Sequence, residues 1–219
     1  MLKQILNLIR ILPFFFLIGN AVSDDSWRLI KEEEGVKVFE NKKVKSGWTS
    51  FLAVGFFKKR LKEIVEVLLD FDNKHFWAPR NEFAKVFKKL KNGNYLVLEH
   101  YKAPWPIDDR EFLFEGFVKK KSDKEILIKA WSNTTYPYKN EDAVIAFAKH
   151  VDIIVEELAE KMCKVTFSVS GNLGGWLPNW IKSFVRTKWP IQFFEGLRKE
   201  LQIERKRDSM VFRELPFSL

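Results

Sequence analysis

Most of the chain between residues 36 and 172 alternates apolar and polar positions with a period of two. This pattern is typical of half-buried β-strands, and its aromatic and β-branched residues favour the same assignment. The alternating stretches lie at 36–44, 47–57, 84–90, 95–102, 110–121, 125–133, 143–158 and 163–172. Asn92-Gly93 between two of them predicts a hairpin turn. No strand–helix–strand repeat interrupts the series, so we expect an antiparallel sheet.

A period near 3.6 appears in other segments. Residues 58–72 carry apolar side chains at helical spacing, and a longer apolar face extends from Pro178 to Leu201. Pro178 suits a first helical position, whereas Pro190 is expected to kink or interrupt this helix and is a candidate hinge. The cap-like "DDS" and the terminal Gly35 predict a short helix over 24–35. Residues 203–219 show no clear pattern and are expected to form a loose extension.

This order predicts an α+β domain in which a curved antiparallel sheet wraps around a long C-terminal helix. The sheet needs a cover for its concave face, and the apolar face of the terminal helix can provide it. The chain has 219 residues, 46% of them hydrophobic and 15% aromatic, which is enough for a large core. We expect one domain at 24–202, preceded by a leader and followed by the tail 203–219.

The first 23 residues resemble a secretory signal. Lys3 and Arg10 are their only charges, an apolar run spans 11–18, and Ala21-Val22-Ser23 supplies a small-residue exit. We expect cleavage near Ser23 and export to a bacterial periplasm. An uncleaved membrane anchor is the alternative, although this run is shorter than the roughly 20 residues of a spanning helix.

Charge and cysteine content narrow the chemistry further. The net charge of +9 becomes +7 without the leader, because two lysine or arginine residues and no acid are lost. Basic charge favours transient contact with anionic membranes, and nucleic acid is not expected for an exported protein. Cys163 is the only cysteine, and the three histidines form no motif, so we expect neither disulfide, metal nor cofactor.

Four segments, in order, resemble the START domain, the steroidogenic-acute-regulatory-related lipid-transfer domain. They are "WRLIKEEEGVKVFE", "APWPIDDREF", "GNLGGWLPNWIKSFV" and "FFEGLRKEL", and the similarity covers about residues 24–202. Each motif alone is weak, but their order around the strand series is fairly specific. The resemblance implies a helix-grip fold that encloses a lipid-sized cavity.

The strand "REFLFEGFV" has one wholly apolar face, which we therefore turn inward. Many lipid-binding members carry arginines on the cavity wall at two places that correspond here to Gly116 and Ala146. Small residues there imply a drier cavity and a more neutral ligand. The candidate cavity residues are Phe112, Phe114, Gly116, Ala146, Trp180 and Phe184, with Trp105, Trp131 and Trp176 as pocket or core residues.

The charged turn "IDDRE" has three interpretations. Arg110 pairs with an acid such as Asp109 to fix the turn, or the pair contacts ligand at the cavity rim, or the cluster is catalytic. A guanidinium stays protonated and makes a poor general acid, so the structural interpretation is preferred. We therefore expect Arg110 to matter for stability before function.

We predict a monomeric, non-enzymatic lipid-binding or lipid-transfer protein. Two alternatives remain open from the residues alone. The first is a cyclase- or hydrolase-like enzyme on the same fold, with Glu99, His100 or His150 as the polar groups. The second is a structural or partner-binding domain with a filled core, because a core and an apolar cavity require the same residue types.

Overall fold

The computed structural model describes residues 26–219, so the leader expected at 1–23 lies outside the described residues. Within that range ten strands form one sheet. The strands are β1 (Trp27–Glu33), β2 (Val36–Asn41), β3 (Thr49–Phe57), β4 (Asn81–Lys89), β5 (Tyr95–Tyr101), β6 (Asp109–Ser122), β7 (Glu125–Ser132), β8 (Ala143–Ile145), β9 (Phe147–Ala159) and β10 (Met162–Asn172).

The sheet is antiparallel along the order β1-β2-β3-β10-β9-β7-β6-β5-β4. Short β8 is an exception, because it pairs in parallel with the start of β6. The register places Arg110 opposite Tyr101 and Gly116 opposite Tyr95 across the β5–β6 pair. This confirms the antiparallel α+β architecture expected from the alternating segments.

The helices are α1 (Leu61–Leu68), α2 (Asn179–Glu200) and α3 (Met210–Arg213), and a 3₁₀ turn spans Lys74–Phe76. The helix predicted over 24–35 is wrong, because residues 27–33 form β1. Glu34 and Gly35 both adopt positive φ, at 51° and 67°, and make a tight turn into β2. Such turns favour a hairpin, and pairing with β2 overrides the weak helical preference of the segment.

Helix α2 packs against the sheet and is continuous over 22 residues. The interruption expected at Pro190 is not seen, since this residue lies buried inside the helix. Gly196 explains how closely α2 approaches the 3₁₀ turn: a Cβ atom at this position would meet the carbonyl oxygen of Trp77 at 2.0 Å. The core between α1, α2 and the sheet includes fully buried Ile64, Phe194 and Leu197.

The tail after α2 is not the loose extension that the sequence predicted. Ser209 caps α3, accepting a hydrogen bond from the backbone N–H of Phe212 at 3.1 Å and donating one to the carbonyl of Leu69 at 2.5 Å. Val211 is buried in the main core, and the apolar residues after it pack against that core. Helix α3 has only one turn, so it is too short to show helical periodicity in the sequence. It is nevertheless long enough to pack against an existing core.

Candidate functional site

A cavity of about 260 Å³ lies between the sheet and α2. Its wall is built mostly from apolar side chains of β3, β5, β6, β7, β9, β10 and α2. The apolar face of β6 points inward and forms much of this wall. Phe112 and Phe114 stack there with ring centroids 5.1 Å apart. Such a cavity suits an apolar guest.

Five of the sequence-predicted cavity residues line this space. They are Phe112, Phe114, Gly116, Trp180 and Phe184. Gly116, however, has a different role from the one expected. A Cβ atom there would lie 2.6 Å from the carbonyl oxygen of Lys129, so glycine is needed for the close approach of β7. Its small size does not simply leave room for a guest.

The other four predicted cavity residues lie away from the lining. Trp105 and Trp176 are exposed on loops, with 91% and 72% of their surface accessible. Trp131 makes an edge contact with Phe117 at a centroid distance of 6.1 Å. Ala146 is buried outside the cavity and donates its backbone N–H to the carbonyl of Glu111 at 2.8 Å. Ala146 lies at the break between β8 and β9, and Ala148, inside β9, lines the cavity instead.

A polar corner interrupts the apolar wall at Glu99, Lys74 and Tyr101, which all line the cavity. The ammonium of Lys74 and the hydroxyl of Tyr101 each donate to the Glu99 carboxylate at 2.5 Å. Burial, followed by the nearby Glu99 charge, raises the pKa of Tyr101 well above its ordinary value. The phenol therefore stays protonated and remains a donor at neutral pH.

Glu99 was considered at the sequence level only as a catalytic candidate, and Lys74 was missed. Lys74 lies in the loop after α1, in a segment without periodicity. The strand alternation that points Glu99 inward is visible in the sequence, but its pairing with a lysine 25 residues earlier is a tertiary contact.

Arg110 is buried and fixes two chain segments together. Its guanidinium donates to the carbonyl oxygens of Leu173 at 3.3 Å and Gly174 at 3.1 Å, and more weakly to that of Trp176 at 3.4 Å. It also donates to the carbonyl of Asp108. The predicted pairing with an acid is thus corrected: Arg110 ties the strand start to the loop before α2 through backbone carbonyls.

Asp109 belongs to a separate cluster on the outer face of the sheet. Its carboxylate accepts from Lys102 Nζ at 2.9 Å, the backbone N–H of Ala103 at 2.8 Å and His100 Nε2 at 3.0 Å. Burial opposes its ionisation, but these bonds, Lys102 foremost, lower the pKa of Asp109 to about 2. The carboxylate is therefore ionised throughout the physiological range.

His100 completes this outer cluster. Its Nδ1 donates to Glu111 Oε1 at 2.8 Å, and Glu111 also accepts from the Tyr138 hydroxyl at 2.6 Å. Burial disfavours the imidazolium, yet the bonds to Glu111 and then Asp109 outweigh it and raise the pKa of His100. Two carboxylates on the two ring nitrogens require both to be protonated.

The outer cluster also contains a geometric arrangement for a metal ion. Glu82, His100 and Asp109 offer ligand atoms within 4.8 Å of one another. Lys102 Nζ, however, bonds both carboxylates, at 3.1 Å from Glu82 and 2.9 Å from Asp109. The histidine nitrogen is also used as a donor, so the residues present suit an ion-pair network rather than a metal.

The cavity approaches the surface at one end, which we call the mouth. It is bordered by Pro104, Leu173, Leu177 and Trp180, and Trp180 is 57% exposed although it lines the cavity. The exposed indoles of Trp105 and Trp176 lie on the two loops that carry these border residues. His150, the remaining catalytic candidate, lies outside the lining with Nε2 3.1 Å from Ser168 Oγ.

The similarity to known proteins agrees with this geometry. The START domain family model matches residues 18–207. The chain belongs to the START family. Its helix-grip fold is shared with the STAR-related lipid transfer protein of Xanthomonas axonopodis, with a TM-score of 0.71 and 22% identity over 82% of this chain and 100% of that one.

Two relatives by sequence extend the comparison of this START protein. An uncharacterized protein of Pseudomonas aeruginosa is 24% identical over 185 residues, covering 84% of this chain and 90% of that one. The phosphatidylcholine transfer protein of Bos taurus is 20% identical over 195 residues, covering 85% of this chain and 89% of its own length. The family resemblance seen in the four motifs is thereby confirmed, and with it a lipid-binding class of domain.

Proposed function

We propose that this START protein encloses one lipid in the cavity between the sheet and α2 and carries it between membranes. The observation that carries the proposal is a mostly apolar cavity whose one lining carboxylate, Glu99, is bonded to Lys74 and Tyr101 in a polar corner. Transfer of each methylene from water into such a site gains about 0.8 kcal/mol. A long chain or a fused ring system thus gains enough to leave a membrane.

The size of the cavity favours a compact guest. Its volume of about 260 Å³ lies just below the range of roughly 300 to 1,000 Å³ that is common for small-molecule sites. A single-chain or ring lipid fits this space better than a lipid with two long chains. We therefore propose a compact lipid as the ligand.

The polar corner favours a neutral, hydrogen-bonding head group. Glu99 retains acceptor capacity beyond its two donors, and Lys74 has further N–H groups to donate. The positive charge of Lys74 is balanced by Glu99, and the guanidinium of Arg110 is directed at backbone carbonyls. The other cations of the lining have partners as well: Lys102 bonds Asp109, Lys129 lies 3.8 Å from Asp152, and Arg80 lies over the ring of Phe184. A hydroxyl can accept from one group and donate to the other without adding a buried charge.

We propose that the mouth docks on a membrane. Tryptophan side chains favour the interface between lipid and water, and Trp105, Trp176 and Trp180 are exposed there. The net positive charge of the chain adds attraction to anionic head groups. Among residues 26–219, none of the helices has the length and apolarity to cross a bilayer. The short apolar run at 11–18 and the small residues at 21–23 motivate our proposal that this carrier is exported.

Binding rather than catalysis is the function that the site supports best. The described lining contains no histidine, serine or cysteine, and its one carboxylate, Glu99, is bonded to Lys74 and Tyr101. A Ser–His or Cys–His pair is therefore not available in the lining among residues 26–219. His100 and His150, the two histidines of the enzyme hypothesis, lie outside the cavity lining.

Lipid extraction from the purified protein followed by mass spectrometry tests this proposal. We expect one lipid class to co-purify with the wild-type protein. Val151→Phe fills the cavity from β9 and should remove that lipid, whereas Ile154→Phe, on the same strand but outside the lining, should retain it. Recovery of no lipid with the wild type, together with no uptake from vesicles, would contradict the proposal.

Cell fractionation tests the proposed location. N-terminal sequencing of the exported fraction should find a mature chain that begins near Asp24. An intact Met1 on cytosolic protein would contradict export while leaving the lipid-binding proposal standing.

A further inference from the structure

The tail after α2 contributes a wall to the cavity. The family model ends at residue 207, whereas Val211 of α3 lines the cavity and is 2% exposed. This part of the wall is therefore supplied by a segment that follows the matched START domain. In a loose tail or an ordinary surface turn, a valine would be exposed to solvent and would not be buried against the cavity.

The bonds of Ser209 to Leu69 and of Glu214 to Tyr95 place α3, and with it Val211, near the Tyr95 end of β5, away from the mouth. The register of β5 and β6 runs from the Tyr101–Arg110 pair near the mouth to the Tyr95–Gly116 pair, six residues further along β6. At about 3.3 Å per residue this separation is about 20 Å. Tyr95 at that inner end is held by Glu214 of the tail, whose carboxylate accepts from the Tyr95 hydroxyl at 2.9 Å.

Further contacts hold the tail firmly in this position. Ser209 donates to the carbonyl of Leu69, which itself lines the cavity, and Glu214 also pairs with Lys89 Nζ at 2.9 Å. Earlier in the tail, before α3, Arg207 donates to the buried carboxylate of Glu200 at 3.0 Å. Bonds on both sides of α3 therefore fix Val211 as part of a defined wall.

We propose that Val211 is a specificity-determining residue that limits the length of the apolar chain the cavity accepts. The inference rests on the proposed lipid-binding function. A chain that enters from the mouth must stop where α3 and Tyr95 close the space, because a packed wall yields only at the expense of its own contacts. Removing or adding volume at Val211 should therefore lengthen or shorten the preferred chain.

Displacement of the fluorescent probe N-phenylnaphthylamine by dodecanol, hexadecanol and octadecanol measures this limit directly. The alcohols differ only in chain length, so the order of their affinities reports the depth of the cavity. Val211→Ala should shift the preference toward the longer alcohols, by about fourfold in affinity for each additional methylene accommodated. Val211→Phe should shift it toward dodecanol.

Met210→Ala is the matched control, because Met210 is on the same helix and packs against the core without lining the cavity. It should leave the order of affinities unchanged, with all three variants checked for a cooperative melt. If Val211→Ala and Val211→Phe fold and keep the wild-type order, the inference is wrong although lipid binding stands. Failure of every alcohol to displace the probe from the wild type would instead contradict the proposed function itself.

Discussion

Each face of the β5–β6 pair buries one carboxylate, and the surroundings of the two carboxylates differ. On the outer face Glu111 is bonded to His100 and Tyr138 and is 2% exposed. On the inner face Glu99 is bonded to Lys74 and Tyr101 but also lines the cavity. Both charges are compensated, yet only one of them is in reach of a guest.

This difference indicates that the outer polar cluster has a structural role, whereas the inner polar cluster can also contact a ligand. The outer cluster links Glu111, His100 and Asp109 in a closed network whose donors and acceptors are used by one another. The inner cluster leaves lone pairs and N–H groups directed at open space. A buried charge in a closed network specifies the packing of strands, whereas one at a cavity wall can also select a ligand.

The largest expected effect comes from breaking the outer network. Glu111→Ala leaves the imidazolium of His100 without its main partner, and the loss of one member of a buried ion pair costs about 3 kcal/mol. We expect the free energy of unfolding to fall by this amount in urea denaturation. Glu111→Gln keeps an acceptor and should lose less. Equal stability of Glu111→Ala and the wild type would show that the outer network is not structural.

The second largest effect is expected at Arg110, where β6 begins. Arg110→Ala leaves the carbonyls of Leu173 and Gly174 without their charged donor, a loss of about 2 kcal/mol. Arg110→Lys can restore one of these hydrogen bonds, but not the set that the planar guanidinium makes at the same time. A variant that melts like the wild type yet no longer takes up lipid would contradict the structural role of this residue.

The inner cluster should respond in binding rather than in stability. Replacing all three members together, Lys74→Met, Glu99→Leu and Tyr101→Phe, removes the charges and leaves neither a charge nor the Tyr101 hydroxyl without its partner, so stability should change little. Affinity for hexadecanol should fall about tenfold relative to that for hexadecane, because the hydroxyl loses its hydrogen bonds. An equal change for both ligands would mean that the corner does not contact the head group.

The smallest effect is a pH dependence from the outer face. The pKa of His100 is raised by its carboxylate partners, so folding favours its protonated form. Its contribution to stability is complete below the ordinary histidine pKa of about 6.5 and is lost as pH rises through the raised value. The melting temperature of the wild type should therefore decrease slightly more than that of His100→Gln between about pH 6 and pH 9.

His150 titrates in the opposite sense and must be kept constant in that comparison. Burial lowers its pKa, so its contribution is lost as pH falls. Because both proteins retain His150, the difference between their curves isolates His100. Parallel curves would show that His100 does not exchange its proton in this range.

Local patterns were sufficient to predict most of the sheet and one wall of the cavity. A period of two points Phe112, Phe114 and Gly116 to one face of β6, and all three line the cavity. The same reasoning failed at Ala146, because this residue lies at the break between β8 and β9, and Ala148 inside β9 lines the cavity instead. Alternation predicts a face only while the strand is unbroken.

The sequence by itself determined the START family, the antiparallel helix-grip fold and the apolar character of the site, because these follow from periodicity and ordered motifs. Tertiary structure alone decided the hairpin at β1, the pairing of Lys74 with Glu99 and the docking of α3 at the inner end. The last two depend on partners far apart in the chain, and β1 depends on its pairing with β2. Local preference is too weak to specify such contacts, whereas burial against an existing core stabilises them.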